Sequence, residues 1–251
     1  MPTPYIVKFV SSESKRGKTT VASKIVSLLT SRGYRVSVIK HCKSGVDLEE
    51  KDTKKYFESG AEIVVASAPG TAVVYVNQHV DLLENALNYA KTPIVVVEGF
   101  KESKLGEAVL IVKGEEEIEE LTAKTSNVVA VVTHSKLEKS LKIPVFTIDE
   151  ESKLANYLET RLISFILNQT GLLNCQTCGY PTCRDLVSAY LRGKAEWCPV
   201  ASIVEVKVNN EPITLNPFVK SIIKNTIKGM LRSLKGVPET IMEIEISFKE
   251  K

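Results

Sequence analysis

The chain has 251 residues, 43% of them hydrophobic and 25% charged, with a formal net charge of +3. This length allows one large α/β domain or two smaller units, and the small net charge gives no reason to expect a nucleic-acid partner. No apolar run approaches the ~18 residues of a membrane span, and the N-terminus lacks a secretory signal pattern, so we expect a cytoplasmic protein with no membrane partner.

Short apolar runs alternate with amphipathic segments over residues 1–150. The run at 5–10 is the first predicted strand, and a helix with one apolar face begins near Thr19. Further strands are predicted at 34–40, 62–67, 71–76, 93–99, 107–113, 127–133 and 144–149, and helices at 52–59, 79–90, 114–123 and 150–168. Buried strands that alternate with helices predict an α/β fold with a mostly parallel sheet.

The segment SSESKRGKTT at 11–20 is close to the pattern of a phosphate-binding loop, G-x-x-x-x-G-K-[ST]. Gly17, Lys18 and Thr19 occupy the last positions of that pattern, whereas Ser12 stands at its first glycine. In such a loop, backbone N–H groups wrap the phosphates, the lysine reaches the β and γ oxygens, and the hydroxyl holds Mg²⁺. The alternative is an ordinary strand–turn–helix connection in which Ser12 or Ser14 caps the helix.

Polar side chains also follow two other predicted strands. Lys40 and His41 end one of them, and Glu98 ends another. Phosphate-loop enzymes keep an acid at such a strand end to organise Mg²⁺ or its water, and parallel strand ends converge on one crevice. His41 either hydrogen-bonds a phosphate or is a plain loop histidine. The charge-rich stretch 113–121 is interpreted as a solvated helix face.

Five short motifs together resemble the molybdopterin-guanine dinucleotide biosynthesis adaptor family, MobB. They are GKTT (17–20), VIKH (38–41), KDT (51–53), SGAE (59–62) and VVVEGFK (95–101), in the family's order and at nearly its spacing. The resemblance implies a phosphate-loop NTPase fold that binds GTP with Mg²⁺ and hydrolyses it slowly. It also implies assistance to a nucleotidyltransferase that guanylylates a molybdenum or tungsten pterin cofactor.

The resemblance assigns roles to residues of this chain. The candidate catalytic residues are Lys18, Glu98 and Asp52, the two acids lying near a Mg²⁺ ion held by Thr19. The candidate nucleotide-binding residues are Ser12, Ser14, Arg16, Gly17, Lys18, Thr19 and Thr20.

The chain departs from the family pattern in three places. Ser12 replaces the first glycine, and Glu49-Glu50 stands where the family has Pro-Gly in a longer segment. His134 follows a predicted strand where an aspartate that could read guanine is expected. The resemblance implies GTP as the nucleotide, and this last departure leaves ATP as the alternative.

Four of the five cysteines form the pattern C-x2-C-G-x3-C-x14-C, at Cys175, Cys178, Cys183 and Cys198. In a reducing compartment a close group of this kind more often binds metal than forms disulfides. Residues 184–192 are predicted to form a short helix, after which Gly193 lets the chain return toward the other cysteines. Four thiolates fit either Zn²⁺ or an iron–sulfur cluster.

The Cys-Pro pair at 198–199 is typical of ferredoxin-type runs. Residues 172–200 also resemble the cluster segment of the corrinoid iron–sulfur protein and of Rnf-type electron-transport B subunits, through CGYPTC and RGKAEWCP. The resemblance implies a [4Fe–4S] cluster on the four cysteines, with structural zinc as the alternative.

The chain is predicted to have three parts. Residues 1–170 form the MobB-like nucleotide-binding domain, residues 171–200 the cluster segment, and residues 201–251 a small α+β unit. The last unit is expected to contain a hairpin within 203–215, a helix at 217–235 and a closing strand at 242–248.

These features favour a GTP-binding, slowly hydrolysing adaptor for molybdopterin guanine dinucleotide synthesis or delivery that carries a [4Fe–4S] cluster. The expected partners are a molybdenum cofactor guanylyltransferase, a molybdenum- or tungsten-dependent enzyme, or both, and the chain is compatible with a homodimer. One alternative is a nucleotide-dependent electron-transfer or metal-centre maturation ATPase. The other is a non-enzymatic iron–sulfur scaffold with a degenerate phosphate loop.

Overall fold

The computed structural model describes residues 2–13, 17–42, 45, 55–56, 58–77, 79–134, 137, 141–170, 172–201, 204, 206–209, 211–213, 215, 217–237 and 244–246. The chain divides into two compact units: Met1–Phe165 with Leu191–Gly193, and Ile166–Tyr190 with Lys194–Lys251. The three-part division expected from the sequence stays a prediction. None of the helices in the described ranges is long and apolar enough to cross a membrane.

The strands and helices follow one another as the sequence pattern predicts for most of the chain. The strands are β1 Tyr5–Val10, β2 Val36–Lys40, β3 Ile63–Ala68, β4 Thr71–Val76, β5 Ile94–Glu98, β6 Glu107–Val112, β7 Val128–Thr133, β8 Val145–Thr147, β9 Val206–Val208 and β10 Glu211–Ile213. The helices are α1 Lys18–Ser31, α2 Leu83–Leu87, α3 Glu116–Lys124, α4 Glu151–Leu167, α5 Cys183–Leu191 and α6 Pro217–Arg232.

A six-stranded sheet in the order β2-β5-β1-β6-β7-β8 forms the centre of the first unit. Each adjacent pair in it is parallel. The central strands β1, β5, β6 and β7 are buried along almost their whole length, as expected for strands that helices cover on both faces. The α/β fold class with a mostly parallel sheet is therefore confirmed.

Helices α1 and α4 cover one face of this sheet. Tyr5 of β1 places its ring 5.7 Å from the ring of Phe165 in α4. The two helices are joined by an ion pair in which Lys24 Nζ lies 2.5 Å from Glu151 Oε1. Because side chains alternate along a strand, the neighbours of Tyr5 must pack on the opposite face.

Helices α2 and α3 cover that opposite face. Ile6 packs with Leu83 of α2 in one buried cluster, and Val10 packs with Leu121 of α3 in another. The first unit therefore has a helix–sheet–helix arrangement, and its loops emerge at the ends of the strands.

Strands β3 and β4 correct the sequence-based prediction. They were expected to be buried strands, but they form a separate antiparallel pair with exposed apolar side chains, including Ile63, Val65 and Val74. The connection between them is Pro69-Gly70, and Gly70 has a φ of +80°. A two-residue link cannot make a parallel crossover, and Pro followed by a positive-φ Gly suits a type II turn.

The predicted helices and the closing strand differ from the structure at several ends. Within 79–90 only α2 is helical. Within 52–59, residues 55, 56 and 58 are helical, residue 59 is in a turn, and residues 52–54 and 57 lie outside the described residues. The closing strand predicted at 242–248 is not present in residues 244–246, its described part. In the second unit, β9 and β10 form the expected antiparallel hairpin.

Candidate functional site

The segment after β1 runs into α1 at the carboxyl edge of the sheet. Gly17 is the N-cap residue of α1 and adopts a left-handed conformation, with φ 87°. A Cβ atom on residue 17 would lie 3.3 Å from Cδ1 of Ile148. Glycine suits this position because an L side chain would be strained there as well as crowded. A strand, a short connection and a helix N-terminus follow in the order that a phosphate-binding loop requires.

The side chain of Lys18 folds back over the loop. Its ammonium donates to Ser11 Oγ at 2.5 Å and to the carbonyl oxygen of Glu13 at 2.8 Å. The Ser11 hydroxyl in turn donates to the same Glu13 oxygen at 2.5 Å. Phosphate oxygens can replace both acceptors, since an ammonium group accommodates several oxygen ligands.

Ser12 directs its hydroxyl away from the loop toward α3. The hydroxyl donates to Oε1 of Glu117 at 3.1 Å, and Oε2 of Glu117 accepts from the Lys113 N–H at 2.9 Å. The backbone of Ser12 does not have a positive φ, so the serine adds no left-handed strain. The interpretation of 113–121 as a solvated helix face is therefore wrong for Glu117, which is half-buried and contacts the loop.

Glu98 and Thr19 meet at the ends of two neighbouring elements. Glu98 closes β5 in register with Phe9 of β1. The Thr19 hydroxyl donates to Oε1 of Glu98 at 2.8 Å and to Oε2 at 2.9 Å. A hydroxyl and a carboxylate are both ligands that Mg²⁺ or its bound waters accept. The arrangement therefore presents oxygen ligands beside the lysine of the loop.

His41 is held by three neighbours at the end of β2. Its N–H donates to the Glu98 carbonyl oxygen at 2.9 Å, and its ring stacks on Phe100 with centroids 4.4 Å apart. Nε2 of His41 lies 2.7 Å from Oδ2 of Asp81. A Cβ on Gly99 would lie 2.8 Å from Cβ of His41, so the turn after Glu98 closes tightly around the histidine.

Two further residues named from the sequence are exposed. Thr20 is exposed on the first turn of α1, and His134 is exposed at the end of β7. Ser14, Arg16 and Asp52 lie outside the described residues.

The cysteine segment is built around the N-terminus of α5. Thr182 and Asp185 form a reciprocal cap: Asp185 Oδ2 accepts from the Thr182 N–H at 3.1 Å, and Thr182 Oγ1 accepts from the Asp185 N–H at 3.1 Å. Asn174 Oδ1 accepts from the Cys183 N–H at 2.8 Å. These bonds hold the residue before Cys175 against the first residue of the helix.

The chain after α5 turns back toward that helix. The ring of Trp197 packs edge-on against Tyr190, with centroids 5.1 Å apart, and the Tyr180 hydroxyl donates to the Lys194 carbonyl oxygen at 3.4 Å. Trp197 immediately precedes Cys198, so the return of the chain brings the fourth cysteine back toward the helix that begins at Cys183.

All four cysteines of the segment are free thiols. Cys175 is exposed, Cys178 is half-buried, and Cys183 and Cys198 are buried. Four thiols in one short segment are the donor chemistry that iron–sulfur clusters use, so the residues fit such a group. Over the described ranges, no group of three or more His, Cys, Asp or Glu side chains is already arranged to hold a metal ion.

Sequence reasoning missed Ser11, Glu117 and Asp81 as parts of the site. Ser11 had a usable signal, since it directly follows β1 and precedes the loop pattern. Glu117 and Asp81 had none, because their contacts with Ser12 and His41 join residues that are distant in sequence.

Comparisons with known proteins cover both parts of the chain. Residues 6–134 match the family described as "Molybdopterin guanine dinucleotide synthesis protein B" (MobB), and residues 173–200 match the family described as "Putative Fe-S cluster". The chain is 30% identical over 243 residues to the "Putative molybdopterin-guanine dinucleotide biosynthesis adapter protein" of Methanocaldococcus jannaschii, covering 92% of this chain and 94% of that protein.

Two other comparisons cover the first part of the chain. The "Molybdopterin-guanine dinucleotide biosynthesis adapter protein" of Haemophilus influenzae is 28% identical over 162 residues, which is 62% of this chain and 89% of that protein. The crystal structure of Bacillus subtilis MobB superposes with a TM-score of 0.53 at 23% identity, covering 62% of this chain and 97% of that one. At that identity the superposition supports the fold alone.

Proposed function

Because the chain belongs to the molybdopterin guanine dinucleotide synthesis protein B family, we propose that it is a GTP-binding, slowly hydrolysing adapter. In this role it assists a guanylyltransferase that attaches GMP to a molybdenum or tungsten pterin cofactor, or delivers the product to an enzyme. The observation that carries the nucleotide part is the convergence of Lys18, Thr19 and Glu98 at one edge of the sheet. The family resemblance inferred from five motifs is confirmed.

The loop residues supply what a bound triphosphate needs. Lys18 exchanges the oxygens of Ser11 and Glu13 for the β and γ phosphate oxygens, and the N–H groups at the start of α1 face the same anion. Thr19 and Glu98 hold Mg²⁺ and its waters, and Glu98 orients the attacking water. Asp52 remains the proposed second acid near the metal.

The choice of GTP over ATP rests on the pathway named for the relatives. Both are described as adapters of molybdopterin-guanine dinucleotide synthesis, a product that contains guanine. His134, exposed at the end of β7, does not add to this choice, because its ring offers one donor and one acceptor where an aspartate offers two acceptors.

The cysteine segment is proposed to hold a [4Fe–4S] cluster on Cys175, Cys178, Cys183 and Cys198. The family match over 173–200 and the four free thiols support this assignment. A bound cluster supplies a cross-link between parts of the segment and a one-electron redox centre. The four cysteines precede, begin and follow α5, so ligation ties these parts together and is expected to stabilise the segment.

A second copy of the chain is the proposed homodimer partner, and the β3–β4 hairpin is its proposed surface. An isolated two-stranded hairpin is marginally stable in water, and exposed apolar edge strands invite pairing. Ile63, Val65 and Val74 are 57%, 59% and 54% exposed. Light scattering should give the mass of a dimer, and Val65→Lys should convert it to a monomer; a monomeric wild type contradicts this surface.

The nucleotide proposal is tested by titrating the chain with a fluorescent GTP analogue in the presence of Mg²⁺. Lys18→Ala should weaken binding at least a hundredfold and leave the visible spectrum of the cluster unchanged. Lys24→Ala is the matched control, since Lys24 lies on the same helix but pairs with Glu151. Equal affinity of the Lys18→Ala and wild-type chains would remove the site, and a preference for ATP would favour a maturation ATPase.

The cluster proposal is tested by anaerobic purification followed by iron, sulfide and zinc analysis. We expect about four irons and four sulfides per chain. Cys183→Ser should bleach the visible charge-transfer band, whereas Cys42→Ser, outside the segment, should leave it intact. A colourless wild-type protein that contains zinc would replace the cluster with a zinc site.

The adapter role is tested with a reconstituted guanylylation assay. The chain should raise the yield of guanylylated cofactor from a molybdenum cofactor guanylyltransferase, and Lys18→Ala should remove that increase. An equal yield with and without the chain would contradict the adapter role while leaving nucleotide binding intact.

A further inference from the structure

Glu117 of α3 is an acid that the family motifs do not include, yet it contacts the candidate phosphate loop. We propose that Glu117 is a positioning residue that allows Ser12 to occupy the first glycine position of the loop, by holding the serine side chain away from the phosphates. This inference rests on the proposed nucleotide-binding function.

The Glu117 carboxylate joins the ends of two neighbouring strands. One oxygen accepts from the Ser12 hydroxyl at 3.1 Å, and the other accepts from the Lys113 N–H at 2.9 Å. Ser12 follows β1 and Lys113 follows β6, and these strands pair in parallel up to Val10 and Leu110. The carboxylate therefore fixes the start of the loop, where the chain leaves β1, relative to the adjacent buried strand β6.

Packing of α3 makes Glu117 a rigid support. The next residue, Ile118, and Leu121 are buried in the cluster that contains Val10 and Leu110. Because these apolar residues set the rotation of the helix about its axis, the neighbouring Glu117 is directed toward the strand ends. Its side chain is half-buried, so little conformational freedom is lost when it accepts the hydrogen bond.

A serine at the first loop position needs such a support. Backbone N–H groups of the loop approach the phosphates closely, so a Cβ and hydroxyl there crowd the anion unless the side chain points elsewhere. The backbone of Ser12 lies outside the left-handed region, which removes the conformational need for glycine. The remaining need is steric, and a hydrogen bond to a charged acceptor selects the rotamer that meets it.

A competing, purely electrostatic role for Glu117 predicts the opposite change in nucleotide affinity. A carboxylate near the loop repels a triphosphate, so a purely electrostatic role predicts tighter nucleotide binding when the charge is removed. The positioning role predicts weaker binding when the acceptor is removed, and only while residue 12 is serine.

The test is a double-mutant cycle on the full chain, with the affinity for GTP and Mg²⁺ as readout. Glu117→Ala should weaken binding about tenfold when residue 12 is serine, the size expected for one hydrogen bond to a charged group. In the Ser12→Gly background the same substitution should change affinity less than twofold. Glu117→Gln keeps one acceptor oxygen for the Ser12 hydroxyl but turns an N–H donor toward the Lys113 N–H, so it should weaken binding less than Glu117→Ala. Glu116→Ala on the exposed side of α3 is the matched control.

Two affinity results would overturn the inference. One is an equal effect of Glu117→Ala in both backgrounds, and the other is tighter binding by Glu117→Ala or Glu117→Gln. Amide hydrogen exchange of the nucleotide-free chain separates this failure from failure of the proposed function. The N–H groups of residues 11–13 should exchange faster in Glu117→Ala than in wild type, and unchanged exchange contradicts the support whether or not GTP binds.

Discussion

The hydroxyl of Thr19 donates hydrogen bonds to both carboxylate oxygens of Glu98, at 2.8 and 2.9 Å. The two residues are far apart in sequence and meet because β5 pairs with β1 on one side of the loop. Each supplies oxygen ligands suitable for Mg²⁺ or its waters, and Lys18, the neighbour of Thr19 in the chain, adds a positive charge for the phosphates. The pair is therefore the proposed metal-binding part of the nucleotide site.

Glu98→Gln tests this pair directly. The amide keeps the size of the side chain and removes its charge, so the Mg²⁺ concentration needed for half-maximal GTP binding should rise roughly ten- to a hundredfold. Titration of Mg²⁺ against a fluorescent GTP analogue measures the shift. Glu102→Gln, an exposed acid in the following loop, serves as control, and a Mg²⁺ requirement unchanged in Glu98→Gln contradicts the assignment.

Gly99→Ala tests the turn that positions Glu98. Gly99 has a φ of +99°, and an added Cβ would lie 2.8 Å from Cβ of His41. The substitution should lower the free energy of unfolding by about 2 to 4 kcal/mol, through backbone strain and overpacking together. Thermal unfolding followed by circular dichroism measures the change.

Gly70→Ala is the matched control for that substitution. Gly70 also has a positive φ, +80°, but no atom lies within 4 Å of an added Cβ. Gly70→Ala should therefore lower the free energy of unfolding only through backbone strain, by about 1 kcal/mol. Equal losses at the two positions would show that crowding against His41 contributes nothing.

Glu150→Gln should weaken the dependence of stability on acidic pH. Hydrogen bonds from the Lys153 ammonium and from the Thr147 N–H lower the pKa of the Glu150 carboxyl from 4.5 to about 2. As the pH falls, Glu150 takes up a proton in the unfolded chain before it does so in the folded chain. The stability that the ionised carboxylate contributes is therefore present above pH 4.5 and is lost as the pH falls toward 2. Urea unfolding between pH 2 and pH 6 should show that the free energy of unfolding falls less with decreasing pH in Glu150→Gln than in wild type. An equal fall in the two proteins would contradict this prediction.

The main sheet could be predicted because its strands are buried on both faces. Continuous apolar runs such as 5–10 and 107–112 end at Gly, Ser or charged residues, and their bounds match the structure within a residue or two. The β3–β4 pair is equally apolar, so composition alone did not separate a buried strand from an exposed hairpin. The Pro69-Gly70 link carried that information and was the stronger signal.

The candidate site could be predicted only where local sequence determines geometry. Gly17, Lys18 and Thr19 follow from the loop pattern, and Glu98 follows from its place at a strand end. Ser12 departs from the loop pattern because it is not a glycine. Nothing in the sequence indicated that this departure is tolerated, because the partner of Ser12, Glu117, belongs to a distant helix. A single-sequence pattern cannot show that the fold brings a carboxylate to that hydroxyl.

The most direct test of the account is a crystal structure of the chain grown with a non-hydrolysable GTP analogue and Mg²⁺. We expect the β and γ phosphates at the N-terminus of α1, within hydrogen-bonding distance of the Lys18 ammonium, with Mg²⁺ on the Thr19 hydroxyl and Ser12 still turned toward Glu117. An empty loop at saturating nucleotide, or a nucleotide bound elsewhere with Lys18 still on Ser11 and Glu13, would contradict it.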